Sequence, residues 1–232
     1  MSIHILLLRH GTTQWNREKR YLGHKDIPLL PAAQQELEPV RQALSAWQWD
    51  DVYCSDLLRC RESLEYILTG STQHVPTASY DPALRELDFG QWEGCTYSDL
   101  CDQPAYRRWI DDPSSICPPG GEAWQHFSGR LNHFAGTLIP ELQRTVAEFS
   151  TSSPDASSPT AIEPDVAPSA LSSEKKPRET KRILIMTHGG VIRQLITLWC
   201  PTIQFWDIVI PPAGGYLLKW EEADCEAVPF PL

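Results

Sequence analysis

Two short stretches near opposite ends of the chain, LRHGTT at residues 8–13 and MTHGG at 186–190, decide how the sequence is interpreted. Each stretch follows an apolar run with β-branched content and precedes turn-forming residues. Such runs predict buried strands, and each strand delivers a histidine at its C-terminal end. Because ligands bind at that end of open α/β sheets, we expect His10 and His188 to share one site.

The pattern between these two stretches alternates between strands and helices. The expected strands are Ile3–Leu8, Asp51–Ser55, 183–186 and Tyr216–Trp220, with an extended segment over Leu84–Phe89. The expected helices cover about 31–47, the residues after Ser55, a long stretch from near Glu122, and the residues that follow 186 up to 199. This alternation predicts an α/β fold, a three-layer α/β/α sandwich with a mostly parallel central sheet.

One segment, at about 150–181, departs from the pattern. It is rich in serine and proline and contains no aromatic residue, so it cannot bury enough apolar surface to offset its ordering entropy. It is also too short for a domain. We therefore expect a single domain over 1–232 with a flexible insertion at this place, and we favour a tolerated loop over a docking or regulatory segment.

Composition limits the classes of partner. The formal net charge of −10 argues against nucleic acid or an anionic membrane surface as the main partner, and no apolar run approaches the roughly 20 residues that span a bilayer. The N-terminus lacks the pattern of a secretory signal. The seven cysteines have irregular spacing, which argues against zinc and predicts free thiols in the cytoplasm.

The residues near the two histidines suit phosphate chemistry. Neutral imidazole is a nucleophile that forms a labile covalent intermediate, and the planar fork of arginine binds phosphate oxygens in pairs. Arg9 and Arg59 can supply that positive charge, and the Gly11 turn would let backbone amides approach an anion. An acid for the leaving oxygen is also needed, and the residues alone leave Glu86, Asp88 and Glu93 as alternatives, since a strand places the first two on the same face.

Five blocks in a fixed order resemble the histidine phosphatase superfamily, the phosphoglycerate mutase-like proteins. The blocks are RHGTTQWN at 9–16, YCSDLLRC at 53–60, LRELDFGQWEG at 84–94, PPGGE at 118–122 and THGG at 187–190. The resemblance covers the chain from residue 5 to about 200, apart from the insertion. Cys60 departs from the family pattern, which usually has alanine there, and this removes no catalytic group.

The resemblance implies a phosphoglycerate mutase-like fold and a role for each matched residue. The implied catalytic residues are the nucleophile His10, the proton donor Glu86, and His188. The implied phosphate-binding residues are Arg9, Asn16, Arg59 and Gly189, and Gly23 and His24 are implied to lie on the substrate side. The resemblance implies no metal and no organic cofactor.

Three functions compete within this resemblance: a phosphatase for small phosphomonoesters, a cofactor-dependent phosphoglycerate mutase, and a non-catalytic relative. None of the catalytic groups is missing, which disfavours the third. The mutases carry extra, basic length between the acid block and the PPGGE block, whereas Trp92–Pro118 is short here. The sequence is most similar to the α-ribazole phosphatases of cobalamin biosynthesis. That group is related to broad-specificity and sugar-phosphate phosphatases. We expect a small phosphorylated metabolite as substrate and a monomer or homodimer.

Overall fold

A six-stranded sheet in the order β3-β2-β4-β1-β5-β6 forms the centre of the protein. The structure, a computed structural model, describes residues 2–151, 180–221 and 224–230. The strands are β1 (Ser2–Arg9), β2 (Asp51–Cys54), β3 (Ser79–Tyr80), β4 (Thr180–Thr187), β5 (Gly215–Glu221) and β6 (Asp224–Phe230). Strands β1 to β4 are parallel to one another, β5 pairs antiparallel with β1, and β6 pairs antiparallel with β5 at the edge.

Helices surround this sheet. They are α1 (Gln14–Arg17), α2 (Ala33–Leu44), α3 (Leu58–Leu68), α4 (Tyr97–Leu100), α5 (Pro104–Asp111), α6 (Trp124–Thr151) and α7 (Gly189–Trp199). Short 3-10 turns cover Pro82–Leu84, Gly90–Trp92 and Phe205–Asp207. The Thr13 side chain and the Asn16 side chain form a capping box on α1, which ends the β1 loop in a fixed turn.

Alternation along β1 divides the core into two layers. Ile5 and Leu7 pack on one face of the sheet with apolar residues of α5, α6 and α7. Leu6 and Leu8 pack on the other face with α2 and α3. Strand β4, paired with β1 in parallel register, divides its side chains in the same way. Because both faces of the sheet are covered, the apolar run is continuous along the strand. The prediction of a three-layer α/β/α sandwich is confirmed.

Three local expectations are corrected. The segment Leu84–Phe89, expected to be extended, begins with the last residue of a 3-10 turn over Pro82–Leu84 and continues as an irregular segment outside the sheet. The sheet also has two strands that we did not expect, β3 and β6. The expectation that all seven cysteines are free is wrong for Cys200 and Cys225, which form a disulfide with Cα atoms 5.7 Å apart, within the usual range for such a bond. The other five are free.

The expected insertion at about 150–181 lies almost wholly on residues 152–179, outside the described residues, so it stays a prediction. Within the described part of the chain, no helix is both long enough and apolar enough to cross a membrane.

Candidate active site

The two histidines lie together at the carboxyl ends of the neighbouring strands β1 and β4. Arg9 pairs with Thr187 in the register of these strands, and a histidine follows each. The backbone N–H of His10 donates to the carbonyl oxygen of Thr187 at 3.1 Å, which holds the two strand ends side by side. The ring centroids of His10 and His188 are 5.2 Å apart. Parallel pairing thus brings together two residues that are far apart in sequence.

The His10 side chain is set up as a neutral nucleophile. Its Nδ1 lies 2.7 Å from the carbonyl oxygen of Gly11. A carbonyl only accepts, so Nδ1 carries the proton and Nε2 keeps its lone pair. Burial, with a further contribution from the positive charges of Arg59 and Arg9, lowers the pKa of His10 well below its ordinary value. The imidazole is therefore neutral near pH 7, with its reactive nitrogen unprotonated.

Gly11 allows this turn to pack closely against helix α2 because of its small size. A Cβ at Gly11 would lie 3.1 Å from the Cβ of Ala33 and 3.2 Å from Cδ1 of Leu37, both of which belong to helix α2. Its backbone N–H donates to the hydroxyl of Ser63 at 3.0 Å. The Gly11 amide itself therefore already has an acceptor from helix α3, and the approach of the turn's backbone amides to an anion stays a prediction.

Two arginines, the partly buried Arg9 and the buried Arg59, place positive charge beside His10. Nη1 of Arg9 donates to the carbonyl of Ile210 at 2.7 Å. Nη2 and Nη1 of the fully buried Arg59 donate to the carbonyls of Gly23 and Lys25, at 2.7 and 3.0 Å. Within the described part of the chain, the Nε atoms of both arginines are buried without a hydrogen-bond partner. Buried donors without acceptors are rare unless a ligand satisfies them, and an anion would do so here.

The second histidine, His188, is held by neighbours on the opposite side. Its Nε2 lies 2.9 Å from the hydroxyl of Ser55 and 3.5 Å from the sulfur of Cys60. Burial, followed by the charges of Arg59 and His10, lowers its pKa well below the ordinary value. Burial also raises the pKa of the Cys60 thiol to about 12. The thiol therefore stays protonated and acts as a weak, uncharged neighbour of His188.

The carboxylate of Glu86 is held at the start of helix α7. Its Oε2 accepts the backbone N–H of Gly190 at 2.9 Å, and its Oε1 accepts that of Leu87 at 3.0 Å. The first turn of a helix offers unpaired N–H groups and a favourable field for an anion. A Cβ at Gly190 would lie 2.2 Å from Oε1 of Glu86. Glycine at this position is therefore required by the carboxylate. Gly189, at the first position of α7, lies against Arg9, and a Cβ there would be 3.7 Å from its Nε.

The two rival carboxylates are occupied elsewhere. Oδ1 of Asp88 accepts the backbone N–H of Gly90 at 2.8 Å and so closes a turn. Glu93 accepts the backbone N–H groups of His24 and Lys25, at 2.5 and 2.7 Å. Of the three carboxylates, Glu86 is the one that lines the cavity described below, and its role as the acid stays a prediction.

The loop that contains Gly23 and His24, which we predicted to lie on the substrate side, packs against the residues that form the site. A Cβ at Gly23 would lie 2.2 Å from the carbonyl oxygen of Leu87, so the loop packs directly against the segment that carries Glu86. The Nε2 atom of His24 lies 3.0 Å from the carbonyl oxygen of Glu86. Gly23 and His24 therefore contact Arg59 and the backbone of the Glu86 segment. The Oδ1 of Asn16 accepts two hydrogen bonds from Thr13, so only the amide nitrogen of Asn16 remains as a donor for a ligand.

A cavity of about 330 Å³ opens beside Glu86. Besides Glu86 and Gly190, it is lined by Leu87, Ile110, Pro113, Arg193 and the aromatic residues Tyr21, Phe89, Trp109, Trp124, Phe127, Phe205 and Trp206. Among these lining residues, Arg193 is the one cation, and its Nε donates to the carbonyl of Ile208 at 2.9 Å. A cavity of this size with aromatic walls and few polar groups is typical of small-molecule sites.

Several residues of the site were missed in the sequence. Ser55 contacts His188, Gly190 makes room for Glu86, and Arg193 lines the cavity. Ser55 and Gly190 lie inside two of the five sequence blocks, which was the available signal. Arg193 had none. Among the described residues, no group of three or more His, Cys, Asp and Glu side chains is arranged to hold a metal ion.

The two strand-end histidines lie with Arg9 and Arg59 in a three-layer α/β/α fold, and the family comparison identifies the class of protein. The chain belongs to the histidine phosphatase superfamily (branch 1), whose family model matches residues 5–151.

Individual relatives include both phosphatases and mutases. The chain is 33% identical over 134 residues to an adenosylcobalamin/α-ribazole phosphatase of Escherichia coli, a match that covers 57% of this chain and 64% of the relative. It is 27% identical to a 2,3-bisphosphoglycerate-dependent phosphoglycerate mutase of Gloeobacter violaceus, with coverage of 60% and 65%. These matches span slightly less than two thirds of each relative. The crystal structure of the α-ribazole phosphatase from Shigella flexneri superposes with a TM-score of 0.71 at 23% identity, covering 97% of this chain and 94% of that one, which shows the shared fold.

Proposed function

We propose that this protein is a phosphatase that hydrolyses small-molecule phosphomonoesters through a phosphohistidine at His10. The observation that carries the proposal is the unprotonated Nε2 of a buried, neutral His10 beside Arg9 and Arg59. Each arginine has a buried Nε without an acceptor. A phosphoryl group placed there would meet a nucleophile and two cations at once.

The reaction takes two steps. In the first, Nε2 of His10 attacks phosphorus, the ester P–O bond breaks, and the leaving oxygen takes the proton of Glu86, which acts in its neutral carboxylic-acid form and is left as the carboxylate. In the second, water attacks phosphorus, the P–N bond breaks, and the proton of the water returns to Glu86, which restores neutral His10. Arg9 and Arg59 bind the phosphoryl oxygens in both steps. Each donor is already fixed by burial and by its bonds to backbone carbonyls, so little reorganisation is needed.

The imidazole of His188 and the side-chain amide nitrogen of Asn16 complete the phosphate site in this proposal. His188 faces His10 at 5.2 Å between ring centroids and can donate a hydrogen bond to a phosphoryl oxygen. Gly189 adds a backbone N–H at the start of α7, where anions are favoured. The site supplies its charge from arginines, so the proposal needs neither a metal nor an organic cofactor.

The cavity beside Glu86 supports an apolar, flat leaving group. Its walls are largely aromatic, and Arg193 is the one cationic residue lining it. A mutase must also hold a second phosphate, for which one arginine among aromatic rings is a poor match. Arg107 and Arg108, the basic residues of the short 92–118 segment, are exposed on α5. We therefore favour a phosphatase, with α-ribazole 5'-phosphate as the first substrate to try and sugar phosphates as the alternative.

The test is a panel of metabolite phosphates that includes α-ribazole 5'-phosphate and sugar phosphates, with release of inorganic phosphate as the readout. Isomerisation of 3-phosphoglycerate is measured alongside. The proposal predicts phosphate release that is abolished in His10→Ala and little isomerisation. Isomerisation faster than phosphate release would identify a mutase, and wild-type turnover in His10→Ala would overturn the mechanism.

A small phosphorylated metabolite is the partner in this proposal. The other expectations, a cytoplasmic location, a monomer or homodimer, and no nucleic-acid or membrane partner, stay predictions from the sequence.

A further inference from the structure

The segment that carries Glu86 has an unusual support. Residues 85–89 are irregular in the structure and belong to none of the six strands. A general acid must nevertheless be held within a fraction of an ångström of the oxygen it protonates, since misplacement by 1 Å can cost about 10²-fold in rate. Something other than the sheet must therefore fix this backbone.

The guanidinium of Arg130, on helix α6, provides that support. Nη1 donates to the carbonyls of Ala83 and Arg85, at 2.6 and 2.7 Å, and Nη2 donates to the carbonyl of Glu86 at 2.9 Å. Nε and Nη2 also donate to the two carboxylate oxygens of Glu122, at 2.8 and 2.9 Å. An arginine has five N–H donors, and all five are used here.

The carbonyl of Leu84, which lies between those of Ala83 and Arg85 in the sequence, has a different donor. The hydroxyl of Thr187, the residue before His188, donates to the carbonyl of Leu84 at 2.7 Å. Four successive carbonyls, from 83 to 86, are thus bound by side chains of α6 and β4. Most of the Arg130 and Glu122 side chains is buried, with 20% and 14% exposed. Because these two side chains are mostly shielded from water, the ion pair between Arg130 and Glu122 is stronger than an exposed ion pair.

We propose that Arg130, oriented by Glu122, is a positioning residue for proton transfer to the leaving group. It acts by fixing the backbone at Glu86 so that the carboxyl reaches both the start of α7 and the cavity. The inference rests on the proposed function, in which Glu86 is the acid. Lysine at position 130 has three donors and no planar fork, so it cannot hold three carbonyls and a carboxylate together.

The test compares kcat/KM for a good and a poor leaving group. The substrates are p-nitrophenyl phosphate, whose nitrophenolate departs without a proton, and the best alkyl phosphate from the substrate panel. This constant covers the steps up to departure of the leaving group, so later hydrolysis of the phosphoenzyme does not affect it. We expect Arg130→Lys to lower kcat/KM for the alkyl phosphate by about 10²-fold and for p-nitrophenyl phosphate by less than about 3-fold. A merely structural role would lower both by the same factor.

A matched control and a second variant show whether the effect is specific to Arg130. Arg41 forms a bidentate pair with Glu38 on α2, far from Glu86 in the fold, and Arg41→Lys should leave both constants unchanged. Should Arg130→Lys fail to fold, Glu122→Gln, which weakens the orientation of Arg130, should show the same selective loss on a smaller scale. Equal losses on the two substrates in the variant that folds would overturn the inference.

A double variant separates this inference from the proposed function. If Arg130 acts through Glu86, adding Arg130→Lys to Glu86→Gln should produce no further selectivity between the two substrates. A multiplied loss in selectivity would mean that Arg130 acts by another route and would overturn the inference. If Glu86→Gln alone shows no selectivity, the assignment of the acid fails instead. If Glu86→Gln is selective and Arg130→Lys is not, only the inference fails.

Discussion

Substituting Gly190 by alanine should remove the acid without removing the Glu86 side chain. The added Cβ would lie 2.2 Å from Oε1 and 3.0 Å from Cδ of Glu86, whereas ordinary van der Waals contact begins near 3.4 Å. The carboxyl must therefore move by about 1 Å or more, a displacement that can cost about 10²-fold in rate. It would also lose its hydrogen bond to the N–H of Gly190.

The cost in stability should be small by comparison. The lost hydrogen bond to a charged group is worth about 1.5–3 kcal/mol, while alanine improves the helix by about 1 kcal/mol over glycine. We therefore expect the free energy of unfolding of Gly190→Ala to fall by about 0.5–2 kcal/mol, measured by urea denaturation. Because Glu86 is the far end of a flexible side chain, the clash is relieved by its rotation rather than by movement of the helix.

The assay is again kcat/KM on an alkyl phosphate and on p-nitrophenyl phosphate. Gly190→Ala should lose about 10²-fold on the alkyl phosphate and little on the aryl one. The control is Gly129→Ala on the exposed face of α6, where a Cβ meets nothing within 4 Å, and it should leave both constants unchanged. Wild-type activity of Gly190→Ala on the alkyl phosphate would refute the placement of Glu86. Equal losses on both substrates would show that alanine damages the phosphate site instead.

Two further predictions concern pH and metals. Burial lowers the pKa of His10 and His188, so the unfolded chain binds more protons below about pH 6.5. The free energy of unfolding should be greatest above that pH and fall by about 1 kcal/mol per histidine between pH 6.5 and 5.5. His188→Gln should remove about half of that decline in urea titrations, and an undiminished decline would show that other groups cause it. Phosphatase activity should survive excess EDTA because arginines supply the charge, whereas a loss that magnesium or zinc reverses would indicate metal-assisted hydrolysis.

The sequence predicted the elements whose signal is local. The apolar runs of β1 and β4 and the turns after them indicated buried strands and placed His10 and His188 at their ends. The amphipathic spacing in α2 and α3 was equally readable. By contrast, β6 has acidic residues and Pro229 in an edge strand, where proline is tolerated but carries no strand signal. Strand β3 is only two residues long.

The choice of acid needed three-dimensional contacts. Glu86, Asp88 and Glu93 were equivalent as residue types, and what sets Glu86 apart is its place in the lining of the cavity. The segment 84–89 was expected to be extended, yet Arg130 and Thr187 bind its carbonyls in place of a neighbouring strand. The cavity likewise combines side chains that are far apart in sequence, so no local sequence pattern predicts it.

The most direct test of the central claim is the phosphorylation of His10 during turnover. The enzyme is mixed with a substrate carrying labelled phosphate, quenched in alkali within milliseconds, and digested for mass spectrometry. We predict a phosphoryl group on the peptide that contains His10, stable in alkali and lost in acid, and absent from His10→Ala. A wild-type enzyme that turns over substrate with no labelled His10 at any quench time, or a His10→Ala variant that keeps its activity, would contradict the account.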